Sequence, residues 1–355
     1  MKKITVLLVS AILATFLIQG CAPRNPHLTE AKISMNREDF QKAKKELALV
    51  LEQEPENVEA AYLEGYIHFE EENYAGMHES FEKVRSIDSD YEKDNINNMS
   101  LRSFGVLRAS GINDKFNKAV QVMSADPEVA EKLMHLALKD LELADRIKND
   151  DFITKDIIAM IYLQLGDKDK ALEMFEEAVK YGDPEKDKDN LVSAYVNISN
   201  IYLEKEEKEK ALEMLNKVLE FDPENKEALL QIAKYYEEND EYDKALPMYQ
   251  DILDLEPDNV DVLFNQGIAF KSNGDIEKAI KNFEKIIEIN PDDTEAAYFL
   301  TVFYSENDDF QKVVDLIEPR FENFDDDWKE KISYFMQVAL VKVGRAKDAA
   351  KYNVE

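Results

Sequence analysis

Three prolines, Pro223, Pro257 and Pro291, fall 34 residues apart in the strings FDPEN, LEPDN and INPDD. A fixed period of this length means one small supersecondary unit used repeatedly, not one large compact core. Aligned on the prolines, four columns recur: a small residue, an aromatic three positions later, then an alanine and a large residue. They read Ser199, Tyr202, Ala211 and Leu215, then Ala233, Tyr236, Ala245 and Tyr249, then Gly267, Phe270, Ala279 and Phe283. The spacing predicts two helices per unit. A small residue where they cross lets the axes approach to about 8–10 Å, and the aromatic fills the space beside it. Proline has no N–H to donate, so it ends the second helix and turns the chain toward the next unit.

These columns resemble the tetratricopeptide-repeat signature. The resemblance implies an all-α fold: a right-handed superhelical solenoid of antiparallel helix pairs. Ala159, Tyr162, Gly166, Ala171, Phe175 and Ala178 mark another unit, preceded by a second helix with Ala137, Leu141 and Ala144. Ala31, Ala43, Leu47 and Pro55 mark the first unit, and Gly65 with Phe81 a degenerate second. Tyr304 with Val313, and Gly344 with Ala349, mark weaker units at the far end. Two departures stand out. Pro247 falls early in a second helix, where it removes a hydrogen bond and threatens a kink. The stretch 91–125 does not hold the period and predicts an elongated helix pair. The expected organisation is N-terminal repeats over 28–90, an irregular helical repeat with an insertion over 91–151, regular repeats over 152–327 and a partial capping unit over 328–355.

The N-terminus has a different character. Lys2 and Lys3 precede an uncharged apolar run from Ile4 to Ile18, followed by Gln19-Gly20-Cys21. This is the pattern of a secretory signal, shorter than the roughly 20 apolar residues of a membrane-spanning helix. Ile18-Gln19-Gly20-Cys21 resembles the lipobox of bacterial lipoproteins. That resemblance implies removal of residues 1–20 and lipidation of Cys21, with 21–27 as the lipidated terminus and linker. Each buried methylene of an acyl chain contributes roughly 0.8 kcal/mol, so two or three chains hold a protein on a membrane. Ala22 is compatible with delivery to the outer membrane, facing the periplasm. Cys21 is the sole cysteine, so the mature chain has no internal disulfide.

Charge narrows the choice of partner. With 75 acidic against 44 basic residues the formal charge is -31. Such a surface repels nucleic-acid phosphates and anionic head groups, so nucleic acid is not an expected partner and the lipid on Cys21 must supply the membrane contact. Nothing points to catalysis. His27, His68, His78 and His135 are scattered, and no phosphate loop, nucleophile elbow or metalloprotease helix occurs. The acidic runs Glu70–Glu72, Asp183–Asp189 and Asp325–Asp327 lack the glycine and terminal glutamate of a calcium loop. No catalytic residue, cofactor or metal site is expected.

The family resemblance implies recognition through the concave surface of the first helices. By its phase that surface includes Tyr62, Tyr66, Phe69, Asn200, Lys234, Phe264, Ile268, Lys271 and Tyr298, together with Met160, Leu163, Val196 and Val302. An aromatic and aliphatic face of this kind suits a helix or an extended peptide. Where family members clamp a C-terminal carboxylate with Lys and Asn, Asn200 matches but Val196 replaces the lysine, so that clamp is not expected. One further contrast is local. Between Met99 and Met123, Arg102, Arg108, Lys115 and Lys118 oppose Asp114 alone, a basic island that is either a partner surface or an internal salt-bridging layer. The leading expectation is a non-catalytic adaptor for envelope proteins, serving outer-membrane, pilus or secretion, or peptidoglycan machinery. Glycan or small-ligand capture is the second.

Overall fold

The computed structural model describes residues 25–353; the predicted signal peptide and Cys21 lie outside them. The fold is 78% helix, with no strand among the described residues. The chain divides into two compact units between Gly182 and Asp183.

In the first unit, α1 (Pro26–Asn36) pairs with α2 (Phe40–Gln53), and α3 (Val58–Glu70) with α4 (Tyr74–Ile87). Next, α5 (Lys93–Ala109) continues through a π-helical stretch, Ser110–Phe116, into α6 (Asn117–Val122). This long rod packs along the 21-residue α7 (Pro127–Ile147). The last pair is α8 (Phe152–Gln164) with α9 (Lys168–Ala178). The buried positions Leu107, Gly111, Phe116 and Ala119 run along the rod. The five-residue step from Gly111 to Phe116 crosses the π stretch, whose wider turn keeps the apolar seam on one side of the rod. A Cβ on Gly111 would lie 2.6 Å from Leu141 Cγ, so only glycine permits this approach to α7.

The second unit repeats one hairpin four times: α10 (Lys188–Glu204) with α11 (Lys208–Phe221), α12 (Lys226–Glu238) with α13 (Tyr242–Leu255), α14 (Val260–Ser272) with α15 (Ile276–Ile289), and α16 (Thr294–Glu306) with α17 (Phe310–Ile317). A 3-10 turn at Phe321–Asn323 leads to α18 (Asp326–Lys342), and a second 3-10 turn, Ala349–Tyr352, folds back on α18. Pro247 is accommodated within α13, which runs unbroken from Tyr242 to Leu255.

Local sequence explains where helices start and stop. Pro223, Pro257 and Pro291 each stand two residues beyond a second helix. Two residues further on, Asn225, Asn259 and Asp293 cap the next first helix, their side-chain oxygens accepting the N–H of Ala228, Val262 and Ala296 at 3.1, 3.1 and 2.9 Å. Inside the hairpins the turn is made by a residue with positive φ: Glu38, Glu72, Gly166, Glu206, Asp240, Gly274, Asp308 and Gly344. The following N–H reaches back to the helix end, as Asp275 does to the Phe270 carbonyl and Asp309 to that of Tyr304, both at 2.8 Å. An acidic residue in this left-handed conformation lacks the freedom of glycine.

The columns read from the sequence are the helix contacts. Ala159, Ser199, Ala233 and Gly267 are buried, as are Phe175, Leu215, Tyr249 and Phe283 on the second helices. A Cβ on Gly65 would stand 2.4 Å from the Phe81 ring, and one on Gly267 2.8 Å from that of Phe283. At five of these turns a lysine lies over the ring that ends the first helix: Lys170 over Tyr162, Lys210 over Tyr202, Lys244 over Tyr236, Lys278 over Phe270 and Lys312 over Tyr304, at 4.8–5.1 Å. The same lysines pair with Asp167, Glu207, Glu241, Asp275 and Asp309. These exposed contacts are individually modest, and the core supplies the main attraction.

Two substitutions test this account by denaturant midpoint. Asp240→Gly relieves the left-handed turn and stabilises by a few tenths to about 1 kcal/mol. Gly267→Val forces side-chain bulk against Phe283 and destabilises by about 1–3 kcal/mol. An Asp240→Gly chain weaker than wild type contradicts the turn assignment.

Candidate functional site

The positive-φ turn residues give each first helix a common register. Tyr62, Phe264 and Tyr298 stand ten residues before their turn; Tyr66, Asn200, Lys234 and Ile268 stand six before; Phe69 and Lys271 stand three before. Tyr62, Tyr66 and Phe69 lie on α3 in the first unit, and the other six on α10, α12, α14 and α16 in the second. They are therefore two separate sets of side chains.

On α3 the expected surface is reduced. Tyr62 is 4% exposed; its ring stacks on Phe81 at 6.1 Å and meets Tyr91 edge-on at 5.8 Å. Burial and the neighbouring Glu92 push its phenol up to about 12. Tyr62 is thus a core residue, because Tyr91 from the link ahead of α5 lies over it, and Tyr66 and Phe69 are left half-buried. In the second unit Asn200, Lys234 and Lys271 are exposed, while Phe264, Ile268 and Tyr298 are half-buried. Asn200 accepts a hydrogen bond from Gln231 Nε2 on the next first helix at 3.4 Å. Phe264 meets Phe283 and Phe299 edge-on at 5.3 and 5.4 Å. Tyr298 packs against Trp328 at 5.5 Å.

Among the residues left out of the sequence reading, Tyr334 and Val341 on α18 are 70% and 55% exposed. They stand ten and three before Gly344, the register of Phe264 and Lys271. Gly344 carried the signal, but the degenerate unit around it obscured the phase. Asp156 was also missed. It holds the same register ten before Gly166 yet is only 7% exposed, and burial alone raises its carboxyl to about 7.

The basic island is divided. Arg108 Nε pairs with Asp151 at 3.1 Å and Lys115 with Asp140, both inside the first unit. Arg102 and Lys118 are exposed. The acidic runs serve the backbone. Asp325 Oδ1 accepts the Trp328 N–H at 2.9 Å, and Asp183 Oδ1 accepts those of Glu185 and Lys186 at 3.0 and 3.1 Å. Among the described residues no group of three or more His, Cys, Asp or Glu side chains is placed to hold a metal ion, and no helix is long and apolar enough to cross a membrane.

Tetratricopeptide repeat family profiles match residues 28–76, 151–224, 202–263 and 260–293, together more than half of the chain. The chain belongs to the tetratricopeptide-repeat family. Such repeats are typically non-catalytic protein-interaction scaffolds. No curated protein matches the sequence. Solved structures similar to it include MamA residues 41 to the end from Desulfovibrio magneticus RS-1, at 18% identity over 48% of this chain and 93% of that one, TM-score 0.39. YrrB, described as having an unusual peptide-binding site, has 21% identity over 53% and 93%, TM-score 0.40. The C-terminal part of a repeat protein from Cytophaga hutchinsonii has 16% identity over 67% and 93%, TM-score 0.47.

Asp156 gives a pH signature. Its folded pKa lies above the ordinary carboxylate value, so its neutral form favours folding below about pH 4 and that contribution is lost as pH rises to about 7. Asp156→Asn keeps a neutral group there. Above pH 7 it stabilises by roughly 1–3 kcal/mol, less than the full shift because a buried amide is also costly. Equal pH dependence of stability in wild type and Asp156→Asn contradicts the assignment.

Proposed function

We propose that the chain is a lipid-anchored, non-catalytic scaffold that gathers protein partners in the bacterial cell envelope, on the periplasmic face of the outer membrane. The observation that carries the scaffold reading is the repeated register of the first helices. Along these helices Asn200, Lys234, Lys271, Tyr334 and Val341 stand in solvent, and the opposite sides are buried. Side chains held on rigid helices and left uncovered offer a protein partner a preorganised surface at little entropic cost. The anchor rests on sequence: Lys2 and Lys3, the apolar run to Ile18, and Gly20-Cys21. The body is too acidic to bind anionic lipid by itself, so an acyl group on Cys21 supplies the attachment, and the short segment after it keeps the first repeats near the bilayer.

Metabolic labelling with an alkyne fatty acid, combined with crosslinking in intact cells, tests both parts. Wild-type chain is expected in the membrane fraction, labelled and crosslinked to a specific envelope protein. Cys21→Ala is expected to lose the label and the membrane fraction. Unlabelled, soluble wild type removes the anchor, and wild type that crosslinks to no protein removes the scaffold.

A further inference from the structure

Three helices of the first unit leave a cleft between them. Arg85 on α4, Asn97, Ser100 and Leu101 on α5, and Ile147 at the end of α7 enclose about 260 Å3. Ser100 is 9% exposed, yet its hydroxyl has no hydrogen-bond partner among the described residues. A buried helical serine or threonine commonly bonds back to its own helix. Ser103, one turn further on, donates to the Met99 carbonyl at 2.9 Å, and Thr301 to that of Ala297 at 2.7 Å. Ser100 does not. Buried polar groups are seldom left unsatisfied, so a free hydroxyl lining a cleft points to a group that enters it. Asn97, one turn before Ser100, is exposed, and its amide likewise has no partner among the described residues.

Among the described residues Arg85 is the one charged side chain in the lining. Its Nη1 donates to Glu82, an exposed pair one turn apart and of small worth. Most of the guanidinium donors remain available. Burial pushes the His78 imidazole below its ordinary value, and Arg146 and Arg85 add to this against Glu82 and Glu79, so a second guanidinium stands in the same field. Asp94, one turn before Asn97, and Glu82 stay outside the lining. Beside the donors, Leu101, 55% exposed, and the half-buried Ile147 supply an apolar wall. The volume is below the roughly 300–1,000 Å3 of sites for drug-sized ligands, so the occupant is small.

We propose that this cleft binds a carboxylate on a short apolar stem, the carboxylate accepting hydrogen bonds from Arg85, Asn97 and Ser100 while the stem lies on Leu101 and Ile147. A free short-chain acid and the side chain of a partner's glutamate share this chemistry. An ammonium is disfavoured because no carboxylate lines the cleft, and a phosphate because the apolar wall would leave some of its oxygens unpaired. The cleft shares no residue with the recognition face of the first helices, so it stands or falls apart from the scaffold reading.

The full chain is titrated, with ligand-observed NMR as the readout, against isovalerate, its neutral counterpart isovaleramide, the cation isoamylamine and inorganic phosphate. The expected result is saturable binding of isovalerate, at least about tenfold tighter than any of the other three, because hydrogen bonds to an ionised acceptor are about twice as strong as neutral ones. Ser100→Ala is expected to weaken isovalerate about fivefold and Arg85→Gln at least about tenfold. Ser100 gives up no partner and Arg85 only an exposed pair, so melting of both variants stays at the wild-type value. Where Ser100→Ala lowers it, Asn97→Ala at an exposed position carries the same test.

A capped alanine peptide with one central glutamate, set against its glutamine analogue, separates the two sources. A glutamate peptide that displaces isovalerate and binds more tightly assigns the cleft to a partner's side chain; isovalerate binding that neither peptide disturbs assigns it to a free acid. No saturable binding of isovalerate, equal binding of isovaleramide, tighter binding of isoamylamine or phosphate, or wild-type affinity in Arg85→Gln overturns the proposal.

Discussion

Two hairpins close where a glycine on the first helix meets a phenylalanine ring on the second. At Gly65 against Phe81 and Gly267 against Phe283 the approach is so close that a Cβ would have no room. Axis separation is set at this point, and with it the angle at which each pair presents its remaining apolar flank. A single hairpin cannot cover that flank, so the next hairpin does, and stability becomes a property of the stack. The long rod in the first unit obeys the same constraint at Gly111 and Leu141, although its sequence has left the 34-residue period.

The first helices therefore serve two ends. One side enters the contact with the second helix and the neighbouring pair, and what is left over faces solvent. The register does not fix how much is left over. Tyr62, Asp156, Tyr298 and Tyr334 stand at equivalent positions, yet Tyr62 and Asp156 are buried, Tyr298 is half-buried and Tyr334 is open. Tyr62 is covered by Tyr91, which belongs to the irregular link after α4 and not to any repeat column. The basic island was likewise divided by chain segments distant in sequence, Asp140 and Asp151, which engage Lys115 and Arg108.

Much of the fold was legible because its signals are local. Proline followed by a capping Asn or Asp states where one helix ends and the next begins, within five residues of chain. The small and large columns state which helix faces meet. The hairpin turns were less legible, since Glu38, Glu72, Glu206, Asp240 and Asp308 take the conformation that glycine advertises only at Gly166, Gly274 and Gly344. The π-helical stretch had no legible sign either, because a widened turn is selected by packing against α7 and leaves no fixed residue pattern.

The sequence by itself determined the period, the helix pairs, the acidic balance and the signal-like segment ending at Cys21, all of which depend on residues within a turn or two of one another. Only the tertiary structure decided which of the repeated positions remain in solvent. Exposure is a relation between a side chain and whatever the chain brings over it from elsewhere. For Tyr62 that is a ring 29 positions later; for Tyr334 no described helix arrives, and the ring is left open.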